Sequence, residues 1–473
     1  MIDRQELSDL ARELSLALNV VEKDYVLGWL LAGIAANDAL TGHWVFKGGT
    51  CLKKCWFETY RFSEDLDFTI TEESHLNEDF LLRAFRDISD WVYEESGIEI
   101  PANQIKFKVS RFQGGSYAEG RVYYVGPMQQ RRNLARIKFD LTTKENLVME
   151  PEVREVHHPY SDKPANGIKA LCYCFEEVFA EKIRALSERE RPRDLYDVVH
   201  LYRHDEIRPD RTVVMQTLQE KCAFKNIPVP TRDSLFTESA RDKLLAEWED
   251  MLAHQLPVLP PFEQFWAELP TVLDWLHAVA EKPVLEGIRV REAIDETWLP
   301  PPMVHAWRAP VPLESVRFAA ANRLCVNLRY QGSWRLIEPY SLQRTKDGNL
   351  LLCTIKHETG EPRSYRVDRI EDVEVSTTPF SPKFLVELTP SGPLHVRDTE
   401  RAISAFTPPI LGRSSGRSTT VQSLSSGPKY IFKCSVCGKQ FTRKSYDGTL
   451  NPHKNKQGYP CYGTIGMYVR TEY

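Results

Sequence analysis

Apolar residues recur at helical intervals through the first forty positions, which predicts two helices across residues 1–40. The second contains "YVLGWLLAGIAA", an apolar run too short to cross a bilayer, so a core helix is expected. The pattern then changes. "HWVFKGGTCLKKCW" predicts a short apolar strand, a Gly-Gly turn and a helix start, and "RFSEDLDFTI" a second strand with Phe62, Leu66 and Phe68 as its hydrophobic mass. Phe80, Leu81, Ala84, Phe85, Ile88 and Trp91 share one helical face in "DFLLRAFRDISDWVYEES". Strands are expected around "QIKFKVSRF", "RVYYVGPM" and "ARIKFDLT". From "IKALCYCFEEVFAEKIRAL" the pattern is helical through Arg203, with a charged turn near Pro192. Residues 205–300 are expected to be mostly helical around the Pro-rich run "QLPVLPPFEQFW". After about residue 310 the period falls to two, with turn signals at Gln331-Gly332, Asp347-Gly348 and Thr359-Gly360, as in a small antiparallel β domain. No internal repeat is visible.

A chain of 473 residues is too long for one core. The expected division is 1–205, a helical stretch at 206–300, a β domain at 310–390, a Ser/Gly/Pro-rich linker at 398–428 and a compact basic tail at 429–473. With 42% hydrophobic and 27% charged residues and a net charge of -5, the composition is that of a globular protein without a nucleic-acid coat, although local basic patches remain possible. The ten cysteines are scattered, several of them in apolar runs, and predict reduced core thiols in a cytosolic protein. Cys51 and Cys55, one helical turn apart, belong with that packing set. The N-terminus is charged and amphipathic, without a signal peptide, so a cytoplasmic location and no membrane partner are expected.

The chemistry concentrates in "RFSEDLDF". Asp65 and Asp67 are two apart in a strand and so share a face, where like charges repel and lose hydration. A divalent cation between them relieves both costs. Gly48 and Gly49 let the backbone approach a phosphate closely. A D-x-D pair can hold Mg²⁺ ions that polarise nucleotide phosphates and activate an acceptor hydroxyl, with Asp140 in "RIKFDL" as the candidate third carboxylate. Lys47 and Lys182 are natural phosphate partners. Plainer alternatives exist: a solvated edge-strand face for the aspartates, a surface Lys182 paired with Glu181 or Glu177, and a helix cap in "RDLYD".

"FKGGTCLKK…RFSEDLDF", "EKIRAL" and "RPRDLYDVVHL", in that order, resemble the AbiEii/AbiGii toxin family of nucleotidyltransferases, part of the polymerase-β-like superfamily and of type IV toxin–antitoxin and phage-abortive systems. "VEKDYVLGWLL" resembles the helix that precedes the catalytic strand there, and the likeness covers roughly the first 200 residues. It implies that Asp65 and Asp67 hold metal, and that Lys47, Gly48, Gly49, Thr50 and Lys182 form the nucleotide site. Arg61 and Ser63 would contact phosphate or orient the carboxylates. Asp194 and Asp197 would bind or deprotonate the acceptor. Gly49-Thr50 stands where Gly-Ser is common in the wider superfamily. The implied fold is multidomain α+β: a polymerase-β-like core, a helical extension, a small barrel and a zinc-ribbon-like tail.

Segment 314–375, with "VRFAAANRLCVNLRY", "SWRLIEPYSL" and "RSYRVDRIEDVEV", resembles a WYL domain, an Sm-like barrel, although "NLLLCT" replaces the naming signature. The likeness implies a ligand-facing set that includes Arg335, Tyr340, Arg363 and Arg366, since Arg forks suit phosphate and Tyr can stack on a base. In the tail, Cys434, Cys437, His453 and Cys461 make a Cys₃His set for structural Zn²⁺. Lys439, Arg443 and Lys444 lie among aromatics, a pattern suited to nucleic acid.

The expectation is an Mg²⁺-dependent nucleotidyltransferase toxin. It would move a nucleoside monophosphate from an NTP to an acceptor hydroxyl, the resemblance implying tRNA 3′ ends, with an antitoxin as protein partner and growth arrest or phage defence as its role. The rivals are a ligand-sensing, nucleic-acid-binding regulator of the WYL type and transfer to a protein hydroxyl.

Overall fold

The computed structural model describes residues 1–473 apart from 58–59, 113–114, 205–208, 291, 296–312, 390–391, 394–428, 435, 438, 444–449, 451–452, 455–459, 462–465 and 473. The expected linker therefore lies outside the described residues. The chain forms two compact units, Met1–Val396 and Arg397–Tyr473.

The first unit opens with α1 (Arg4–Glu13), capped by the Asp3 carboxylate, and α2 (Leu18–Ala36). Tyr25 to Ile34 of α2 are buried throughout, so its apolar run is a core helix. Among the described residues no helix is long and apolar enough to cross a membrane. Then come β1 (Trp44–Lys47), the short α3 (Gly48–Cys51) continued by one π-helical turn, and β2 (Asp65–Ile70). The helix α4 (Glu78–Ser96) starts at an Asn77 cap and stops at Gly97, whose φ of +76° suits glycine.

Next follow β3 (Ile105–Phe112), β4 (Gly115–Tyr124), β5 (Ala135–Thr142), β6 (Glu152–Glu155) and β7 (Lys169–Cys172). These build a mixed seven-stranded sheet in the order β3-β4-β5-β2-β1-β7-β6. Alternation decides its two faces. Leu66, Phe68, Ile137, Phe139 and Leu141 are buried on the side of α4, where Phe85 meets the rings of Phe107 and Phe139 at 4.7 and 4.9 Å. Burying each such side chain contributes roughly 1.5–3 kcal/mol.

Two expectations need correction. "KALC" is a strand parallel to β1, not the start of a helix, because periodicity cannot separate a short buried apolar run from a helical turn. Strand β4 begins at Gly115, well before "RVYY".

The helices α5 (Phe175–Arg189) and α6 (Pro192–Arg203) are separated by Glu190 in a left-handed conformation and by Pro192 at the first position of α6, the expected charged turn. The helices α7 (Arg211–Lys225), α8 (Arg232–Leu235), α9 (Glu238–Leu252) and α10 (Phe262–Leu276) complete this layer and share one hydrophobic core with the sheet.

After α11 (Glu314–Ala321), the strands β8 (Leu324–Tyr330), β9 (Ser333–Arg344), β10 (Leu350–Lys356), β11 (Pro362–Arg366) and β12 (Ile370–Pro379) form an antiparallel sheet ordered β11-β10-β9-β8-β12. Positive φ at Gln331, Gly332, Gly348 and Gly360 marks the three turns expected from the sequence. A buried bond from the Tyr196 hydroxyl of α6 to Asn322, 2.9 Å, joins this domain to the helical layer.

In the second unit, Gln440–Arg443, Lys429–Cys434 and Gly466–Glu472 pair as a three-stranded antiparallel sheet, and His453–Lys454 pairs with Pro460–Cys461.

Candidate functional site

The face of the sheet away from α4 is polar, and register brings its charges together. Lys47 lies opposite Asp67, which lies beside Asp140; Asp65 lies beside Lys138. Partners at one register level share a face, so Asp65, Asp67, Asp140, Lys47 and Lys138 form one group. Asp140 is held from two sides: the Tyr117 hydroxyl donates to Oδ1 at 2.6 Å and Lys138 Nζ lies 2.7 Å from Oδ2. Lys47 Nζ is 3.4 Å from Glu145.

Burial, reinforced by the neighbouring Asp140 carboxylate, pushes Asp67 up to about 6 despite Lys47. Burial also raises Asp65, opposed by Lys138, Lys23 and Arg193. Asp65 and Asp67, which resist ionisation chiefly because they are buried and then because of the neighbouring Asp140, are with it a donor set suited to a hard divalent cation. A cleft of about 660 Å³ at the Thr69 end of β2 is lined by Thr69, Thr71, Ser116, Thr143 and Glu145, among others.

The glycine pair has a steric role within the chain. Gly48 has φ +80°, and a Cβ there would stand 2.3 Å from the Asp67 Oδ2. A Cβ on Gly49 would stand 2.5 Å from an Arg61 nitrogen and 3.2 Å from the Ser63 Oγ. Both glycines thus let the D-x-D segment close against the end of β1. Thr50 adds a hydroxyl bond to the Asp65 carbonyl. Below this corner Lys54 pairs with Asp24 at 2.7 Å, the Glu22 carboxylate accepts from the Met128 amide, and Lys23 pairs with Glu64 at 2.5 Å, so the "EKD" triplet clamps α2 to the site.

A second charged cluster forms beside the first. Arg61 grips Asp197 with two bonds of 2.7 Å and reaches Gln255 at 2.9 Å; the Tyr60 hydroxyl also donates to Asp197. Lys182 Nζ lies 2.8 Å from Asp197 and 3.6 Å from Asp194, and Arg189 binds Asp194 at 2.7 and 2.8 Å. Burial opposes ionisation of Asp197, but the Arg61 and Lys182 charges overcome it and hold the carboxyl well below its ordinary range.

Lys182, expected to contact phosphate, is here paired with the carboxylates of α6. Only 6% exposed, its amine lies between the two carboxylates of α6. Arg61, expected to contact phosphate or orient the D-x-D carboxylates, instead holds Asp197 and Gln255. Asp194 and Asp197, expected to bind or deprotonate the acceptor, are buried and engaged by Arg61, Lys182 and Arg189. The sequence reading missed Lys138, Tyr117, Arg193, Arg189 and Tyr60. Lys138 was open to an i,i+2 argument from Asp140; the others gave no local signal.

Cys51, Cys55 and Cys172 lie with their sulfurs within 4.8 Å of one another, buried behind the glycine corner. In the β domain a further correction applies. Tyr340 is 0% exposed, its ring against Phe380 and Phe384 and its hydroxyl on Glu338, so it cannot stack on a ligand. Arg335 bonds the carbonyls of Tyr330 and Ser333. Arg363 pairs with Glu361 at 2.9 Å and Arg366 with Asp368 at 2.8 Å near the surface.

In the second unit the sulfurs of Cys434, Cys437 and Cys461 converge within 4.8 Å. The Cys434 and Cys461 sulfurs are 3.8 Å apart, close to the edge of a tetrahedron with metal–sulfur bonds of about 2.3 Å. The Val436 amide donates to the Cys434 Sγ at 3.4 Å. Lys439 is exposed, with its amine 5.9 Å from the Phe441 ring centre. The side chains of His453 and Arg443, and all of Lys444, lie outside the described residues.

Comparison with known proteins adds the following. The family model described as nucleotidyl transferase AbiEii toxin of type IV toxin–antitoxin systems matches residues 29–272, and the WYL domain model matches residues 312–375. No curated protein matches. Among solved structures, MenT4, a nucleotidyltransferase toxin of Mycobacterium tuberculosis H37Rv, is similar at 19% identity over 58% of this chain and 90% of its own, with a TM-score of 0.40. JHP933 from Helicobacter pylori is similar at 17% identity over 56% of this chain and 94% of its own, with a TM-score of 0.37.

Proposed function

We propose that this chain, which belongs to the AbiEii family of type IV toxin–antitoxin nucleotidyl transferases and is a nucleotidyltransferase, moves a nucleoside monophosphate from an NTP to the 3′ hydroxyl of an RNA, tRNA foremost. The family implies an antitoxin partner; growth arrest, in phage defence or otherwise, is the cellular outcome we attach to it. What carries this is the gathering of Asp65, Asp67 and Asp140 on one face with Lys47 opposite, and the raised Asp67 carboxyl.

Asp65, Asp67 and Asp140 are the groups that would hold Mg²⁺, which when bound supplies charge neutralisation at the triphosphate and a more acidic acceptor hydroxyl. Tyr117 and Lys138 fix the orientation of Asp140. Lys47, Lys138 and Arg193 provide positive charge around the aspartates where phosphate oxygens would lie. The hydroxyl-lined cleft beyond Thr69 offers room for the nucleoside. Arg61, Lys182, Asp194 and Asp197 brace α6 against the "RFSEDLDF" segment and serve as positioning residues. In the tail, Cys434, Cys437 and Cys461, with His453 as the fourth ligand, would hold structural Zn²⁺. Arg363, Arg366, Lys439, Arg443 and Lys444 are assigned to ligand or nucleic-acid contact.

The test is incubation of α-labelled NTPs with total RNA and with lysate, followed by nuclease or protease digestion. Label in nuclease-sensitive material, absent with Asp65→Ala, is the expected result. Protease-sensitive label would move the acceptor to a protein. Sequence-specific DNA binding indifferent to Asp65→Ala, with no label anywhere, would favour a WYL-type regulator.

A further inference from the structure

The carboxylate face does not end at Asp140. It runs outward across β5, β4 and β3, and register fixes what it carries. Lys106 pairs with Arg121, which pairs with Lys138, which lies beside Asp65. One level along, Lys108 pairs with Glu119, which pairs with Asp140, which lies beside Asp67. One level beyond the first row, on the side away from Asp67, Tyr123 pairs with Arg136.

The opposite face of these strands is closed: Ile105, Phe107, Ala118, Val122, Ile137 and Phe139 are buried against α4. On the carboxylate side Lys106, Lys108, Arg121 and Arg136 are exposed and Tyr123 is half-buried. The ammonium of Lys106 lies 5.5 Å from the Tyr123 ring centre. The Arg136 bond draws the Tyr123 hydroxyl below its ordinary range; burial opposes it, and the Arg136, Lys106 and Arg121 charges add to the lowering. That marks a region of positive potential. The acidic side chain facing this row is Glu119, 3.8 Å from Arg121. In a chain of net charge -5, a basic stripe that crosses three strands and ends at the carboxylates is a local feature with a direction.

Resting on the nucleotidyltransfer reading above, we infer that this open face of β3, β4 and β5 is the track on which a single-stranded RNA acceptor lies. Lys106, Lys108, Arg121 and Arg136 take its phosphates, Tyr123 offers a stacking surface, and the 3′ end points to Asp65 and Asp67. The strand spacing makes the track about 14 Å wide from β3 to β2. Phosphate neutralisation by such side chains is sequence-tolerant and salt-dependent, and base–aromatic stacking is equally indifferent to sequence. The acceptor would thus be recognised by backbone charge near its end.

The test uses the full chain carrying Lys106→Gln, Lys108→Gln and Arg121→Gln together, none of which contacts the carboxylates. A fluorescein-labelled single-stranded RNA oligonucleotide is titrated over a range of salt concentrations. Removing three phosphate contacts should make the log–log salt dependence shallower by about 2 and weaken binding more than tenfold at low salt. The KM for RNA in the transfer assay should rise in parallel, with NTP affinity and the thermal midpoint unchanged, and Glu119→Gln should tighten binding. Wild-type slope and KM in the triple variant would overturn the inference even if the wild type labels RNA. So would tighter capture of single-stranded DNA of the same sequence. If the triple variant loses RNA binding but the wild type transfers nothing, the track stands and the nucleotidyltransfer reading fails.

Discussion

Replacing Asp67 by Asn should make the metal-free protein more stable while abolishing transfer. In the folded chain the carboxyl is raised from 3.8 to about 6, first by burial and then by Asp140. A group raised on folding contributes stability below its unfolded value and loses it as pH climbs through the folded one. A rise of this size corresponds to about 3 kcal/mol at most, the cost of keeping Asp67 ionised above pH 6 without a cation. Asparagine keeps the shape and removes the charge. In chelator, urea unfolding followed by tryptophan fluorescence should show Asp67→Asn more stable by about 2–3 kcal/mol at pH 8. The gain should shrink through pH 6 to 4 and vanish below about 3.8. Added Mg²⁺ should narrow the gap by stabilising only the wild type. A variant no more stable than the wild type at pH 8, or a gain that persists unchanged at pH 4, would refute the reasoning.

Further outcomes follow from other parts of the structure. Gly48→Ala places a Cβ 2.3 Å from the Asp67 Oδ2 at φ +80°, so it should destabilise by more than about 1 kcal/mol and lower kcat, read by urea unfolding and the transfer assay. Arg61→Ala leaves Asp197 buried with one cation fewer and should cost about 3–5 kcal/mol in the same unfolding assay, whereas Arg61→Lys should recover part of that and not the two-bond grip. Tyr340→Phe removes a buried hydroxyl on Glu338 and should leave RNA binding unchanged while lowering stability by about 1 kcal/mol. Metal analysis of the purified chain should find Zn²⁺ that is lost on Cys434→Ser or Cys461→Ser, with transfer to a minimal acceptor retained.

The legible parts of this chain are those whose cause is local. The glycine pair, the D-x-D spacing and the apolar period of α4 are readable because strand and helix periodicities act over a few residues. Asp140 could be proposed from a strand pattern alone; parallel register with β2 sets it beside Asp67. The Cys-x-x-C knuckle and the turns of the β domain are likewise local. Lys182 shows where such reading stops. Its sequence gives a helix position and a charge, but its partners, Asp194 and Asp197, meet it only after α5 and α6 pack. Arg61 and Asp197 are 136 positions apart, and nothing in either segment marks the other. The WYL likeness alone implies a ligand-facing Tyr340; period-two alternation tells which residues share a face and not which face is inside, so the strand pattern cannot check it. "KALC" failed for a related reason: a buried central strand and a helical turn look alike at four residues.

The central claim is that Asp65, Asp67 and Asp140 together hold a divalent cation. Titrating Mn²⁺ into the full chain at neutral pH, with free ion followed by electron paramagnetic resonance, tests it most directly. Binding that is lost in Asp65→Asn, Asp67→Asn and Asp140→Asn alike, and that weakens as pH falls below about 6, is the predicted result. Undiminished Mn²⁺ binding in all three variants would contradict it.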